Sequence, residues 1–191
     1  PLGLGTLVHA VLADLADGSD DSRPAIEALV WKHAWLHLPD SMQRLDEPID
    51  LIVRLAASPR WASLRAASCV YTELEFLLAW PPGNHDPDAP YIQGFIDCLY
   101  KDRVGDWHLL DYKTNRVSPE TLASTVESYE MQMLVYALAV ERILKRPPAE
   151  IVLHFLRENH EHRFVWDRTA RQRVMELVNN AMKSVLVPAL P

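Results

Sequence analysis

The sequence predicts an α/β (α+β) domain, a mixed central sheet of about five strands flanked by helices, with a helical N-terminal third. Three observations predict it. The first third carries apolar side chains at helical spacing, beginning with Leu4, Leu7, Val8, Val11, Leu12 and Leu15. From Val70 the texture changes to β-branched and aromatic runs separated by turn residues. A long helix then stands between the third such run and the last two, the order expected of a mixed sheet.

The first helix runs from about Leu4 to Ala16 and is broken by the turn residues Asp17-Gly-Ser-Asp-Asp-Ser22. A second helix spans roughly Pro24–Leu38, a third Asp46–Ala57, and a short one follows Ser58-Pro59. Val70–Leu78 reads as a strand, and Pro81–Pro90 as a surface loop by composition. Tyr91–Tyr100 and Trp107–Lys113 are strands flanking the Gly-containing turn Asp102–Asp106. Ser118 as N-cap, Pro119 at the first helical position and Glu120 in the first turn open a long helix. It reaches about Leu144 and stops before Pro147-Pro148. Ile151–Leu156 and His162–Trp166 are the last strands, and Asp167 caps a helix to about Val187.

The 191 residues suit a single domain, mostly helical over 1–69 and sheet-bearing over 70–191. At 49% apolar residues the chain can bury a core, which excludes disorder as its main state. No run of about 18 apolar residues exists to span a membrane. The start carries no signal-type segment and no Met, so the expectation is a cytoplasmic piece of a longer polypeptide. Cys69 and Cys98 cannot build a disulfide framework or a four-cysteine cluster and read as reduced core residues. None of the six glycines lies in a G-x-x-x-x-G-K-S/T loop, so no ATP site is expected. Nineteen Lys and Arg against 26 Asp and Glu give a net charge of −7, at face value an argument against nucleic acid.

Two acids stand where strands should be apolar. Asp97 lies in Phe95-Ile-Asp-Cys-Leu99, and Asp111 follows Trp107-His-Leu-Leu110. A hairpin centred on Val104 places them opposite each other, with Cβ atoms about 5 Å apart. Two carboxylates that close repel unless a cation lies between them, and a divalent ion with oxygen ligands resolves the conflict. Lys113 leaves the same face as Asp111, while Tyr112 and Thr114 point the other way. An ammonium so placed can orient a water and offset charge on a phosphorane-like transition state. A lone D-x-K is more often a surface ion pair.

The other titratable residues say less by themselves. His9 shares a helical face with Gly5, whose missing side chain leaves room for close approach, but a lone histidine is usually structural. Gln132 and Tyr136 share another helical face with Tyr129 and Met133 nearby, a stripe that taken alone is core packing. His33 and His37 have zinc-compatible spacing, yet Ala34 stands where H-E-x-x-H needs Glu, so a packed or solvated helix face is the better reading. His154, His160 and His162 receive no role. Arg157 and Arg163 could reach phosphate or serve as surface ion-pair partners.

In combination, Gly5-Thr-Leu-Val-His9, Gly94-Phe-Ile-Asp97, Asp111-Tyr-Lys-Thr114 and Gln132-Met-Leu-Val-Tyr136 resemble the RecB-type branch of the PD-(D/E)xK nucleases. The resemblance runs from Gly5 to about Trp166 and is nearest to the C-terminal nuclease domain of AddA and RecB subunits. It implies a restriction-endonuclease-like sheet and a metal-dependent DNA nuclease. His9, Asp97, Asp111 and the backbone carbonyl of Tyr112 would be metal ligands, and Lys113 the catalytic lysine. Gln132 and Tyr136 would line the active site and the DNA path. Glu73 matches an acidic residue of the preceding strand, although the family commonly has Pro where this chain has Glu75.

The resemblance further implies Mg²⁺, with Mn²⁺ substituting, and single-stranded DNA ends processed during double-strand-break repair and recombination. The helicase would belong to the same chain or to a second subunit. The acidity then argues less against DNA than against a domain working alone, because few phosphate contacts mean weak intrinsic affinity. Three alternatives stay open: a catalytically dead DNA-binding or scaffolding domain, a stand-alone nuclease of the CRISPR-adaptation (Cas4) or AddB type, and a domain whose acids are structural. Relatives of the second kind carry an iron–sulfur cluster on four cysteines, which this chain lacks.

Overall fold

The chain winds four helices, three strands, a helix, two strands and a helix, as the computed structural model shows for residues 2–37, 45–84 and 86–186. The helices are α1 (Leu2–Ala16), α2 (Arg23–His37), α3 (Asp46–Ala56), α4 (Pro59–Arg65), α5 (Pro119–Leu144) and α6 (Arg168–Leu186). The strands are β1 (Cys69–Ala79), β2 (Tyr91–Lys101), β3 (Trp107–Lys113), β4 (Glu150–Phe155) and β5 (His160–Phe164). They form one sheet in sequence order. Among the described residues only the β3–β4 pair, bridged by α5, is parallel; the other three pairs are antiparallel. The mixed five-stranded sheet between helical layers is the architecture expected. The predicted ends at Leu38 and Val187 lie outside the described residues.

Local chemistry sets the boundaries. Ser58 Oγ accepts the Trp61 N–H at 3.1 Å at the start of α4, and Asp167 Oδ1 accepts the Ala170 N–H at 2.8 Å at the start of α6. The Ser118 N–H donates to Thr121 Oγ1 at 2.9 Å, the reciprocal half of a capping box, and Lys145 closes α5 in the left-handed region at φ 55°. Between β2 and β3, Asp102 Oδ1 accepts the N–H groups of Val104, Gly105 and Asp106 at 2.8–3.0 Å and fixes the hairpin.

Each face of the sheet has its own core. The apolar stripes of α1–α4 cover one face, against Cys98, Tyr100, Leu110, Tyr112 and Val152. Helices α5 and α6 cover the other, against Phe76, Ile96, Leu99, Leu109, Ile151 and Leu153. β3 is thus buried on both faces, which is why Leu109 and Leu110 are both apolar.

Two sequence expectations need correction. β5 spans His160–Phe164, two residues earlier than the predicted His162–Trp166. The turn after Phe155 is tight, with Asn159 at φ 50°, so His160 already pairs with Phe155. Trp166 lies past the sheet, where its indole N–H donates to Glu141 at 3.0 Å. Cys98 is buried as expected, but Cys69 is half-buried at the first position of β1.

A break in strand alternation positions the site. Val70 and Thr72 of β1 turn to the α1–α4 side, whereas Leu74, Phe76 and Leu78 turn to α5–α6. On β2, Cys98 and Tyr100 face α1–α4 while Ile96 faces α5–α6. Residues two apart should share a face, so both strands change over at one rung. That rung is Glu73 opposite Asp97. It is absent from the ladder, which pairs Thr72 with Cys98 and then Leu74 with Ile96, and Glu73 has φ 48°.

Candidate active site

β3 also leaves β2 at this point. Their ladder ends at Cys98 paired with Leu110, one step short of Asp97 and Asp111 in the predicted register, while β3 continues beside β4 to Lys113. The fork releases the Tyr112 N–H, which donates to Asp97 Oδ2 at 2.8 Å. Helix α1 closes the fork from one side. A Cβ on Gly5 would stand 3.4 Å from Thr114 Oγ1, so the helix lies close on the end of β3 and brings His9, one turn later, to the site.

Two groups of side chains meet there. In the first, His9 Nδ1 lies 3.6 Å from Asp97 Oδ1 and 3.8 Å from Glu73 Oε1, and His9 Nε2 lies 2.9 Å from the Tyr112 carbonyl oxygen. One ligand atom each from His9, Glu73 and Asp97 falls within 4.8 Å of the others. An imidazole nitrogen, two carboxylates and an adjoining carbonyl suit a hard divalent cation such as Mg²⁺ or Mn²⁺. Glu73, the weakest match by sequence, is therefore a full member of the cluster.

The second group surrounds Asp111, which has 0% exposure. The Lys113 ammonium lies 2.6 Å from its Oδ2, an ion pair off the hydrogen-bond direction. Gln132 Nε2 donates to Asp111 Oδ1 and to the Tyr136 hydroxyl, both at 2.9 Å. Gln132 of the α5 stripe thus holds a buried carboxylate, while the Tyr136 ring packs in the α5–α6 core and its hydroxyl meets the same amide. Tyr129 on the same helix sits under the Lys113 ammonium, 4.5 Å from ring centre to Nζ.

The electrostatics follow from two carboxylates sharing a dry fork. Burial, and then the neighbouring Asp111, push the Asp97 carboxyl up to about 7, with His9 and Lys113 opposing. Burial also raises Asp111, against the pull of Lys113. Burial pushes the Tyr136 phenol up to about 12, which keeps it a neutral donor and acceptor. A cation between the acids would remove the conflict.

The remaining sequence candidates fall elsewhere. Arg157 donates to the Thr114 carbonyl and pairs with Glu47, and Arg163 pairs with Glu150 and Glu161, so both are neutralised internally. His33 lies 2.8 Å from Asp14. His154 is buried beside Asn159. Sequence reasoning gave no role to Phe76, whose ring fills the space that a side chain on Gly94 would need; a Cβ there would lie 2.7 Å from it. The signal was the glycine itself in Gly94-Phe-Ile-Asp97.

Known proteins resemble this chain over most of its length. The chain is 31% identical over 157 residues to an ATP-dependent helicase/nuclease subunit of Lysinibacillus sphaericus, covering 79% of this chain. It is 34% identical over 152 residues to the corresponding subunit of Heliobacterium modesticaldum and 33% over 166 to that of Moorella thermoacetica, covering 74% and 80% of this chain. The matched region spans 11–12% of the length of these relatives. The sequence profile of the PD-(D/E)XK nuclease superfamily matches residues 1–189, and to that superfamily this chain belongs.

Proposed function

We propose that this chain is a divalent-metal-dependent deoxyribonuclease that hydrolyses phosphodiesters of single-stranded DNA ends. The observation that carries the reading is the joining, at one strand fork, of the His9–Glu73–Asp97 cluster to the buried Asp111–Lys113 pair. His9, Glu73, Asp97, Asp111 and the Tyr112 carbonyl would hold Mg²⁺ or Mn²⁺, which supplies Lewis-acid polarisation of the scissile phosphate when bound. The Lys113 ammonium orients the attacking water and offsets charge on the phosphorane. Gln132 keeps the Asp111 carboxylate aimed into the fork, and the Tyr136 hydroxyl accepts the second proton of the same amide.

By the resemblance to helicase/nuclease subunits, the chain works in the cytoplasm as one nuclease domain of a longer helicase–nuclease in double-strand-break repair and recombination. A helicase portion or a second subunit feeds it the strand. Incubation with labelled single-stranded DNA and Mg²⁺, beside Asp111→Ala and Lys113→Ala, tests the reading. Loss of at least about 100-fold in each variant is expected, the scale of removing one stabilising group from a transition state. Equal degradation by wild type and variants overturns the assignment.

A further inference from the structure

Gln132 and Tyr136, which meet at the carboxylate fork, also line a second depression. It is a groove of about 520 Å³ that opens between β1, β2, α5 and α6, walled by Phe76, Gly94, Val135, Val178 and Ala181. That volume lies within the ~300–1,000 Å³ usual for clefts that take small organic groups. Its walls are almost entirely carbon, and among the described residues no Lys or Arg lines it. Polar groups are confined to Gln93 and to Gln132 and Tyr136, the two residues shared with the fork. The floor is fixed: the Phe76 and Tyr136 rings meet edge to face with centroids 5.6 Å apart, and Gly94 lets both approach the β2 backbone.

We propose that this groove receives one unpaired nucleobase of the strand whose phosphate lies at Asp97 and Asp111, an inference that rests on the nuclease reading above. A base and its phosphate are joined by a single sugar, so a groove sharing two side chains with the phosphate site is within reach of an adjoining base. An uncharged apolar wall suits the face of a base and excludes the phosphate. Contact of this kind is needed here. The chain carries a net charge of −7, and among the described residues the groove is lined by no cation, so phosphate neutralisation contributes little grip there. Bases in a duplex are sealed within the stack, so only an unpaired strand can offer one. The groove thereby selects single strand over duplex.

The experiment is an abasic walk. Binding of a fluorescein-labelled single-stranded oligonucleotide is measured by anisotropy in Ca²⁺, with one base removed at each successive position, and cleavage of the same strands is followed in Mg²⁺. Loss of the base at one or two positions adjoining the cleaved phosphate should weaken binding at least about fivefold, the lower end of what one stacked base contributes, while removal elsewhere should not. Ala181→Phe, which fills the groove, should weaken binding of the intact strand to the level of that abasic strand and leave the abasic strand unaffected. A flat walk with cleavage retained overturns the base site and leaves the nuclease reading standing. A chain that neither binds nor cuts the intact strand overturns both. The walk needs no variant, so misfolding of Ala181→Phe cannot mask the answer.

Discussion

Glu73 adopts φ 48°, a left-handed backbone that costs a non-glycine residue of order 1–3 kcal/mol, and it does so where its carboxylate meets His9. Stability and metal binding therefore pull in opposite directions at this residue. Glu73→Gly should raise the metal-free unfolding free energy by about 1 kcal/mol in urea titrations with chelator, while lowering affinity for Mn²⁺ in calorimetry. Asp97 is set against Asp111 in the same way. Asp97→Asn keeps an acceptor for the Tyr112 N–H but removes one of two buried like charges. It should melt at or above the wild-type temperature in chelator. The wild type should gain several degrees on addition of Mn²⁺, and the variant should gain clearly less.

At the scale of elements, the changeover rung is both what builds the site and what hid it. The Asp102–Asp106 turn was readable, because an Asp and a Gly at those places specify a hairpin, and the register came with it as far as Cys98 and Leu110; the parting of the strands before Asp97 and Asp111 was not. The ends of β3 and α5 were readable for similar reasons, through caps and prolines. The alternation of β1 and β2 was not, because period 2 assumes an unbroken pleat and both strands change face at Glu73 and Asp97. Glu73 ranked below the other ligands for a different reason, because the family commonly has Pro where this chain has Glu75. The shift of β5 came from a turn whose Asn159 carries no glycine to flag its positive φ. Gln132 and Tyr136 were separable from core packing only by family resemblance, since a hydrogen bond to a buried carboxylate leaves no trace in helical spacing. Gly94 is a further test at this scale. Gly94→Ala places a methyl 2.7 Å from the Phe76 ring and should cost about 1–3 kcal/mol in chemical denaturation, with Phe76→Leu in the same chain recovering part of the loss.

Across the whole molecule, the sheet separates a helical layer that supplies His9 from one that supplies Gln132 and Tyr136, and distant strands must be locked together for the fork to hold. Arg60 is one lock. From the start of α4 it reaches Glu150 on β4 at 2.6 Å, Glu161 on β5 at 2.7 Å and the Tyr100 hydroxyl on β2 at 3.1 Å. Arg60→Ala removes the most deeply placed partner of Glu150 and Glu161, leaving them Arg163 and His108, and should cost about 1.5–3 kcal/mol in urea unfolding at pH 7. Hydrogen bonds from His108 and Arg60 hold the Glu150 carboxyl down at about 2, below its unfolded value. Its contribution, at most about 3 kcal/mol, is complete above pH 4.5 and is lost as pH falls through 2. Denaturation midpoints should drop over that window in the wild type and less in Glu150→Gln. The contact between His9 and the Tyr112 carbonyl joins residues 103 apart in the chain. At about 5–20 residues per second, α1 leaves the ribosome roughly 5–20 s before the strand that completes its ligand set. A nascent chain that ends before Asp111 therefore carries the histidine without its full ligand set, and on the nuclease reading such a partial product cannot cut DNA.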